Sequence, residues 1–266
     1  MKCGGDGQAV ELDCRRASPK PMQLSEYENM HAVETRHWWF RARLAVVTSV
    51  LDRYVPVGGR GLDCSCGTGM TLSALGQRLQ IGADLSAQAL KFARKRGLTK
   101  LVQADLTRLP LQSACLDLLT CLDTLEHIEN DTGALAEVFR VLRPGGFALF
   151  TVPQHPALFS AHDRALHHVR RYRFEELRAR VLGAGFEIVR LTPINCALLP
   201  VVALARVLSR GKEKESDTDK LPMAPVNAAL FAAFALEKSL VGWSDLPFGV
   251  SLLCLAQKPA ATLEPA

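Results

Sequence analysis

Residues 61–69 of the chain are Gly61-Leu62-Asp63-Cys64-Ser65-Cys66-Gly67-Thr68-Gly69, a short apolar strand with one acid that breaks into a turn of small residues. A helix-compatible segment from Met70 to Leu79 follows directly. This order lets the backbone approach a nucleotide-like cofactor at the carboxyl end of the strand. Gly67 and Gly69 matter because a Cβ atom at either position would obstruct the ligand or forbid a positive φ. The third glycine of the dinucleotide fingerprint would fall at Leu72, and it is absent.

Composition and charge are those of an ordinary globular protein. The 266 residues are 48% hydrophobic and 22% charged, with a net charge of +5. A chain of this length suits one large α/β domain, with or without a sizeable insertion. The mild positive charge slightly favours an anionic substrate or a membrane surface and does not indicate nucleic acid.

The cysteines and the N-terminus bear on the cellular compartment. The eight cysteines form neither paired CxxC units nor a Cys/His zinc pattern, so we expect no structural metal. Cys64 and Cys66 alternate within the apolar strand and turn, and we expect them to be small buried thiols. The first residues contain no apolar core of about 7–15 residues, which predicts no signal peptide. We therefore expect a cytoplasmic protein, with residues 1–22 as a flexible tail.

Strand-like and helix-like segments alternate from Arg60 onward. The predicted strands are Gly61–Cys64, Gln80–Asp84, Leu101–Ala104, Leu116–Leu122, Phe147–Val152, Phe186–Leu191 and Gly249–Ala256. The predicted helices between them are Met70–Leu79, Ala87–Arg96, Thr132–Leu142 and Phe174–Ala184. Such alternation implies an α/β fold, a parallel, doubly wound sheet with helices on both faces. Ligands then bind outside the carboxyl ends of the strands.

A long N-terminal helix is predicted from Leu24 to about Tyr54, ending at a Pro-Val-Gly-Gly segment. It contains the aromatic and cationic segment His37-Trp38-Trp39-Phe40-Arg41-Ala42-Arg43. Two interpretations stay open for this segment. Its aromatic rings pin the helix to the domain, or the helix is a lid with rings over the cofactor and an arginine near the cofactor carboxylate.

Two strongly apolar segments, Ile194 to Leu208 and Met223 to Trp243, do not fit the alternation. Pro200 interrupts the first, and polar residues interrupt the second, so neither offers the roughly 20 apolar residues that a bilayer span needs. One expectation is that they pack in the core or in a dimer interface. The other is that they form an apolar cap, which covers a hydrophobic substrate or contacts a membrane surface.

Two further acids end the strands that follow the glycine turn. Asp84 lies 21 positions beyond Asp63, at the tip of the second predicted strand. A carboxylate there can accept hydrogen bonds from both ribose hydroxyls of a nucleotide-like cofactor. Asp105 ends the third predicted strand, where an adenine amino group could be bound. A single aspartate at the end of a strand is often only a solvated side chain, whereas acids at the ends of three successive strands indicate a binding site.

These features resemble the class I S-adenosylmethionine (SAM)-dependent methyltransferases of the broad small-molecule group. Residues 62–69 are similar to the family's first motif, with Ser65 where glycine is more usual. Asp84 matches its ribose-binding acid, and Ala104-Asp105-Leu106 its adenine-side motif. Residues 121–128, which contain Leu-Glu-His, resemble the fourth-strand segment, and residues 142–147, which read LRPGGF, resemble the turn into the fifth strand. The resemblance covers about residues 24–258.

The resemblance implies a Rossmann-like, doubly wound, seven-stranded sheet whose last strand is antiparallel. It predicts a helical lid at residues 23–56, a SAM-binding domain at 57–193, an apolar helical insertion at 194–245, and the last strand within 246–260. The residues expected to bind the cofactor are Trp39, Arg41, Asp63, Cys64, Ser65, Cys66, Gly67, Gly69, Asp84, Leu85, Ala104, Asp105, Leu106 and Leu122.

The fourth predicted strand also narrows the acceptor. Methyltransferases of base amines and glutamine amides resemble one another in an Asn/Asp-Pro-Pro-aromatic motif there, whereas this chain has Cys121-Leu122-Asp123-Thr124. The difference favours a diffusible small molecule or a lipid as the methyl acceptor, with O- or C-methylation.

The histidine- and arginine-rich segment after the fifth predicted strand carries the catalytic candidates. The early His-Trp-Trp-Phe and the later His-x-Arg-Arg-Tyr resemble a bacterial subgroup of the family. A hydroxyl or carbon nucleophile needs a base, and histidine titrates in the useful range. The candidates are His168 as base, His162 as second choice, Asp163 as orienting partner, Tyr172 as a further catalytic group, and Arg170, Arg171 and His127 as acceptor-binding residues. A solvated surface loop is the competing interpretation.

Other functions stay open at this point. A nicotinamide-dependent oxidoreductase would use the same glycine turn, although Leu72 replaces its third glycine. A non-catalytic SAM-binding partner protein is also compatible with the sequence, as are a homodimer and a peripheral membrane contact. A metal site of His155, His162 and His167 is not expected, because the segment has no ligand-like i, i+4 helix pair with an acid.

Overall fold

The computed structural model of the chain describes residues 24–208 and 221–260. Seven strands form one sheet in the order β3-β2-β1-β4-β5-β7-β6. The strands are β1 Gly61–Cys64, β2 Ile81–Asp84, β3 Leu101–Gln103, β4 Leu116–Leu122, β5 Leu142–Pro153, β6 Glu187–Ile194 and β7 Ser251–Gln257. Strands β1 to β5 pair in parallel, and β7 runs antiparallel to both β5 and β6. The predicted sheet with an antiparallel last strand is confirmed.

Helices flank both faces of the sheet. In chain order they are α1 Leu24–Val33, α2 Trp38–Tyr54, α3 Met70–Ala74, α4 Ala87–Lys95, α5 Asp131–Val141, α6 Ala161–Ala165, α7 Phe174–Gly183, α8 Leu199–Leu208, α9 Ala224–Ala235 and α10 Lys238–Val241. Short 3-10 helices occupy Leu125–His127 and Pro156–Leu158. The predicted flexible tail, residues 1–22, lies outside the described residues.

The prediction of one continuous helix from Leu24 to Tyr54 is wrong. The backbone N–H groups of Arg36 and His37 donate to the carbonyl of Val33, which ends α1. His37 is extended, with φ −70° and ψ 131°, and its Nδ1 atom accepts the backbone N–H of Trp39 at 3.2 Å. His37 therefore caps a second helix, a role that Ser, Thr, Asn and Asp usually take.

The sheet separates two apolar clusters. On one side, residues of α5 and α7 such as Leu135 and Leu177 share a cluster with Phe150 of β5. On the other, Val46 and Val50 of α2 share a cluster with Leu149 of β5. All five of these side chains are buried. Because both faces of the central strands are buried, most residues in these strands are apolar.

The apolar insertion packs on α2. The side-chain oxygen of Asn227 accepts the backbone N–H of Trp38 at 2.9 Å, and the Phe234 ring lies 5.4 Å from that of Trp39. Buried Glu237 accepts the backbone N–H groups of Asn195 and of the next residue, each at 2.6 Å. The insertion is thus joined both to α2 and to the exit from β6.

One segment of the insertion meets the length and composition of a membrane span, contrary to the expectation from sequence. Residues Ala224–Val241 have a mean hydropathy of 1.3, and 22% of them are buried. Length and apolarity alone do not identify a membrane span, because the core helix of a soluble protein can have the same length and hydropathy. Phe234, Ala235 and Val241 are buried in the cluster beneath α2, so in this structure the segment is part of the domain.

Candidate functional site at the carboxyl edge of the sheet

The glycine turn after β1 adopts the left-handed backbone that its sequence predicts. Gly67 and Gly69 have φ angles of +54° and +87°, and Ser65 has a φ of +57°. A Cβ atom on Gly69 would come within 2.5 Å of a Leu98 methyl carbon and 3.3 Å of the Ala93 Cα atom, so both the φ angle and the space favour glycine there. At Gly67 the nearest atom to such a Cβ is 3.7 Å away, in Met30 of α1. Glycine at 67 therefore serves the backbone conformation.

Asp84 lies beside this turn at the end of β2. One carboxylate oxygen accepts the backbone N–H of Gly67 and the other that of Ser86, each at 2.8 Å. Burial raises the pKa of Asp84, while these two backbone donors lower it. Each carboxylate oxygen keeps acceptor capacity beyond its one backbone bond. The residue can thus hold the turn and still accept hydroxyl groups, and this donor–acceptor set fits the ribose of a SAM-type cofactor.

Asp63 is placed differently from Asp84. Its carboxylate is buried within the sheet and accepts the Thr120 hydroxyl of β4 at 2.6 Å. Burial raises the pKa of Asp63 to about 6. Its neighbours Cys64 and Cys66 are buried as predicted, and burial raises the pKa of both thiols. These residues support the turn from beneath.

The ends of β2 and β3 offer a surface for a planar ring. Leu85 is 47% exposed directly after Asp84, and Ala104 follows β3 partly buried. One oxygen of Asp105 accepts the backbone N–H and the hydroxyl of Thr107, each at 2.8 Å. Two other predicted cofactor residues, Leu106 and Leu122, are buried at the ends of β3 and β4.

Helix α1 is anchored over the glycine turn by a residue that sequence analysis did not identify. The buried carboxylate of Glu34 accepts the Thr68 hydroxyl and the Arg96 guanidinium. Arg96 also donates to the Thr68 carbonyl at 2.9 Å. No sequence pattern joins these three residues, because each comes from a different element.

The aromatic segment of α2 contacts the apolar insertion. Trp39 packs against Phe234 of α9, and the Arg41 guanidinium lies over the Phe231 ring, 4.3 Å from its centroid. Arg43 is the α2 residue that reaches the carboxyl edge, where it pairs with Asp123 after β4. Of the two interpretations of this segment, the contacts of Trp39 fit the one in which aromatic rings pin the helix.

The loop after β5 brings two of the predicted catalytic residues into contact. Nδ1 of His168 lies 3.0 Å from a carboxylate oxygen of Asp163. Asp163 is fully buried and also accepts Nε of Arg171 at 2.7 Å and the backbone N–H of Ser160 at 2.9 Å. Burial opposes its ionisation, yet the His168 hydrogen bond and the Arg171 charge hold the pKa of Asp163 well below its usual range. A carboxylate so placed fixes the ring of His168 and leaves Nε2 for another partner.

Nε2 of His168 faces the Leu-Glu-His segment after β4. It lies 4.0 Å from Oε1 of Glu126, and the His127 ring packs edge-on against His168 with centroids 4.7 Å apart. Glu126 is fully buried, and burial raises its pKa well above the usual range. Burial and the neighbouring His168 lower the pKa of His127 to about 4. Glu126 was absent from the sequence-based candidates, although its neighbour His127 was among them.

Three other predicted residues are occupied by internal bonds. The Tyr172 hydroxyl is buried and donates to a carboxylate oxygen of Asp131 at 2.7 Å. Arg170 donates to the same oxygen at 3.0 Å, and Arg171 pairs with Asp163. Burial and the Asp131 hydrogen bond raise the pKa of Tyr172. The geometry thus gives these three residues a role in holding the loop, where the sequence suggested catalysis and acceptor binding. His162, the second candidate base, precedes Asp163 in α6 and is partly buried.

Backbone strain concentrates at this edge. Five of the six non-glycine residues with positive φ in the described chain lie after the carboxyl ends of β1, β4, β5 and β6: Ser65, Asp123, His155, His167 and Asn195. Such conformations cost about 1–3 kcal/mol each and cluster at functional sites. Together with the glycine turn and the Glu126–His168 corner, they mark this edge as the candidate active site.

A groove of about 1040 Å³ lies along α2, lined also by residues of α3 and of the insertion. Cationic side chains of Arg41, Arg53 and Lys238 line it, together with Phe231 and Trp243. Next to it, Leu236 and Trp243 of the insertion are each 72% exposed. This surface combines positive charge with exposed apolar side chains.

Comparison with known proteins agrees with this geometry. A sequence model described as a methyltransferase domain matches residues 62–150. A Mycolicibacterium smegmatis protein named "Probable S-adenosylmethionine-dependent methyltransferase" is 27% identical over 66% of this chain and 70% of its own length. A ubiquinone biosynthesis O-methyltransferase of Xanthomonas oryzae pv. oryzae is 33% identical over 44% of this chain, and the match spans about half of that enzyme, 52%.

Solved structures agree with the fold. A SAM-dependent methyltransferase of Thermotoga maritima, described as a "possible histamine N-methyltransferase", superposes with a TM-score of 0.56 at 17% identity. The superposition covers 88% of this chain and 96% of that one. At this identity the likeness establishes the shared architecture and leaves the acceptor open.

Proposed function

The chain belongs to the class I SAM-dependent methyltransferases, and on that premise we propose that it methylates an oxygen or carbon atom of a small organic or lipid-like acceptor. One observation carries the proposal: the His168 ring is held by Asp163 at 3.0 Å while its Nε2 atom faces the site beyond β4. A carboxylate–imidazole pair of this kind activates nucleophiles in many enzymes. The name of the Xanthomonas relative, an O-methyltransferase, is consistent with such an acceptor.

The cofactor-side residues supply binding and alignment. When bound, SAM would supply a sulfonium methyl group, whose transfer to the nucleophile would release a neutral thioether as leaving group. In this proposal Asp84, which already accepts the Gly67 N–H, also accepts the ribose hydroxyls, and the positive-φ turn at Gly67 and Gly69 lets the backbone approach the methionine part. Leu85 presents an exposed apolar side chain where the adenine ring would pack. Much of the rate enhancement in such a displacement comes from holding nucleophile and methyl group in line.

The acceptor-side residues activate the nucleophilic atom of the acceptor. In the simplest form of the proposal, Nε2 of His168 takes the proton of the acceptor hydroxyl or acidic carbon, and Asp163 stabilises the resulting imidazolium. Because burial and His168 lower the pKa of His127 to about 4, that ring stays neutral near pH 7 and can accept or donate one hydrogen bond to the acceptor. Arg170, Arg171 and Tyr172 keep the loop in place through Asp131 and Asp163.

Labelled methyl transfer tests this function directly. Protein incubated with cell extract and methyl-labelled SAM should yield a labelled small molecule that mass spectrometry identifies. With that acceptor, His168→Ala should lower turnover about 100-fold or more while SAM affinity stays unchanged. His162→Ala serves as the matched variant from the same loop and should retain turnover. Normal turnover in His168→Ala would remove His168 from the mechanism.

A peripheral membrane contact is proposed for the groove along α2. Its support is the adjacency of Arg41, Arg53 and Lys238 to exposed Leu236 and Trp243, since anionic lipid surfaces attract cations flanked by apolar and aromatic side chains. Co-sedimentation with anionic vesicles at low salt, and its loss in Arg53→Glu/Lys238→Glu, is the expected result. A protein that stays in the supernatant and elutes as a dimer would assign this face to self-association.

A further inference from the structure

Three metal-ligating side chains converge at the corner between β4 and the loop after β5. Glu126 and His127 end the 3-10 turn that follows β4, and His168 comes from the loop some forty residues later. Each offers one ligand atom, and the three atoms all lie within 4.8 Å of one another. Nε2 of His168 lies 4.0 Å from Oε1 of Glu126.

Glu126 lacks the partner that a buried carboxylate requires. It is fully buried, and neither of its carboxylate oxygens has a hydrogen-bond partner among the described residues. The two nearby guanidinium groups are engaged elsewhere, Arg43 with Asp123 and Arg171 with Asp163. Buried polar groups without partners are rare because leaving them unpaired costs several kcal/mol. A positive charge supplied from solution would satisfy Glu126.

One of the two imidazoles is oriented as a metal ligand usually is. Nδ1 of His168 bonds to Asp163 at 3.0 Å, and the His127 ring packs edge-on against the His168 ring. Metal-binding histidines almost always use one ring nitrogen for the metal and the other for a carboxylate or a backbone carbonyl. Asp163 is itself fixed by Arg171 and Ser160. The outer hydrogen bonds that a metal-binding histidine needs are therefore already in place for His168.

We propose that Glu126, His127 and His168 bind a divalent transition-metal ion of the Zn²⁺ type, with open positions for an oxygen of the acceptor. Two imidazoles and one carboxylate are a donor set that suits Zn²⁺ and neighbouring first-row ions. Bonds of about 2.0–2.2 Å place ligand atoms about 3–3.5 Å apart. Side-chain movements of about 1 Å would therefore close the present triangle on an ion.

This inference rests on the proposed function and refines its chemistry. A nitrogen that binds a cation cannot accept a proton, so His168 would then activate the acceptor through the ion. An acceptor hydroxyl bound to the ion releases its proton to solvent more readily, and the resulting oxygen anion is the nucleophile. Its C–O bond forms as the C–S bond of the sulfonium breaks, and the sulfonium becomes a neutral thioether. The acceptor class becomes a hydroxyl compound that can coordinate a metal ion, such as a phenol or enol with an adjacent oxygen.

Cobalt binding provides a test that needs no known acceptor. Chelator-treated, dialysed protein is titrated with Co²⁺ alone, followed by visible absorption and by thermal unfolding, and then with Zn²⁺. We expect one equivalent of Co²⁺, visible d–d bands, a raised melting temperature and displacement by Zn²⁺. Glu126→Gln and His168→Gln should each weaken binding at least ten-fold. His31→Gln, which removes an imidazole from α1, is the matched control and should bind as the unaltered chain does.

Each outcome decides the inference. No binding by the unaltered chain, or equal affinity in Glu126→Gln and the unaltered chain, would overturn it and leave Glu126 as a neutral buried acid. Should either variant fail to fold by circular dichroism, His127→Gln replaces it. With an identified acceptor, full turnover in metal-free protein would also overturn the metal role while methyl transfer stands. One equivalent of bound Co²⁺ without turnover on any acceptor would support the site and count against the proposed function instead.

Discussion

The two halves of the candidate active site are built in different ways. The cofactor half consists of the turn 65–69 and the carboxyl ends of β2 and β3, and it is shaped mainly by backbone: positive φ angles, glycines and the N–H groups that Asp84 accepts. The acceptor half consists of Glu126, His127 and the loop 155–172, and it is shaped by side chains that meet across long sequence separations. A binding site built from backbone groups with positive φ angles accepts few residue types at those positions. A site built from side chains can change its chemistry when a few of those side chains are substituted.

The largest expected effect lies in the cofactor half. Asp84→Ala removes the acceptor that we propose for the ribose and also releases the N–H groups of Gly67 and Ser86. Hydrogen bonds to a charged group contribute about 1.5–3 kcal/mol each, so SAM affinity should fall about 100-fold or more. Isothermal titration calorimetry measures it.

Asp84→Asn is the matched control for this prediction. It keeps the size of the side chain and an acceptor oxygen, and it should give an intermediate loss. Unchanged SAM affinity in Asp84→Ala would show that other residues bind the ribose. The assignment of Asp84 to the cofactor half would then be wrong.

The same contrast explains what sequence could predict. The turn and the strands that end at Asp84 and near Asp105 follow from local patterns of glycine, acid and apolar residues, and the structure confirms β1 and β4 at the predicted bounds. The break between α1 and α2 was missed because His37 takes an unusual capping role and because Glu34 is held by Thr68 and Arg96, which come from other elements.

The acceptor half was predictable only in part for the same reason. Asp163 and His168 lie in the same histidine- and arginine-rich segment, and Asp163 was predicted from sequence as an orienting partner for a base in that segment. Glu126 meets His168 only through the fold, and so does Tyr172 with Asp131. Tyr172 is buried and its hydroxyl donates to Asp131, and no feature of the sequence reports such burial.

Asp63 should give the cofactor half a distinctive pH dependence. Burial raises its pKa to about 6, against about 3.9 in an unfolded chain, so the folded state holds the extra proton between these values. Stability from this group is therefore complete below about pH 4 and falls as pH rises towards 6, by about 3 kcal/mol in total. Urea unfolding of the unaltered chain and of Asp63→Asn from pH 4 to 7 measures it. The difference in stability should grow with pH in favour of the variant, and a constant difference would contradict the assignment.

Tyr172 tests whether the acceptor half is held by its buried carboxylates. Tyr172→Phe removes the hydroxyl that donates to Asp131, while Arg170 and Arg180 still pair with that carboxylate. The expected cost is about 1–2 kcal/mol of unfolding free energy, with SAM affinity unchanged and turnover within about three-fold of the unaltered chain. Chemical denaturation and steady-state kinetics measure the two quantities. A 100-fold loss of turnover at unchanged stability would instead return Tyr172 to the catalytic set.

The smallest effect concerns the one departure of the cofactor half from its family pattern. Ser65 holds a φ of +57° where glycine is more usual. Ser65→Gly removes a left-handed strain of about 1–2 kcal/mol but adds about 0.5–1 kcal/mol of unfolded-state entropy, so a net gain of about 0.5 kcal/mol is expected. Ser73→Gly, in the helical backbone of α3, is the matched control and should lose stability by a similar amount. If Ser65→Gly also lowers the stability, the Ser65 hydroxyl makes a contact that contributes more free energy than the strain costs. The turn would then depend on a side chain at its first residue.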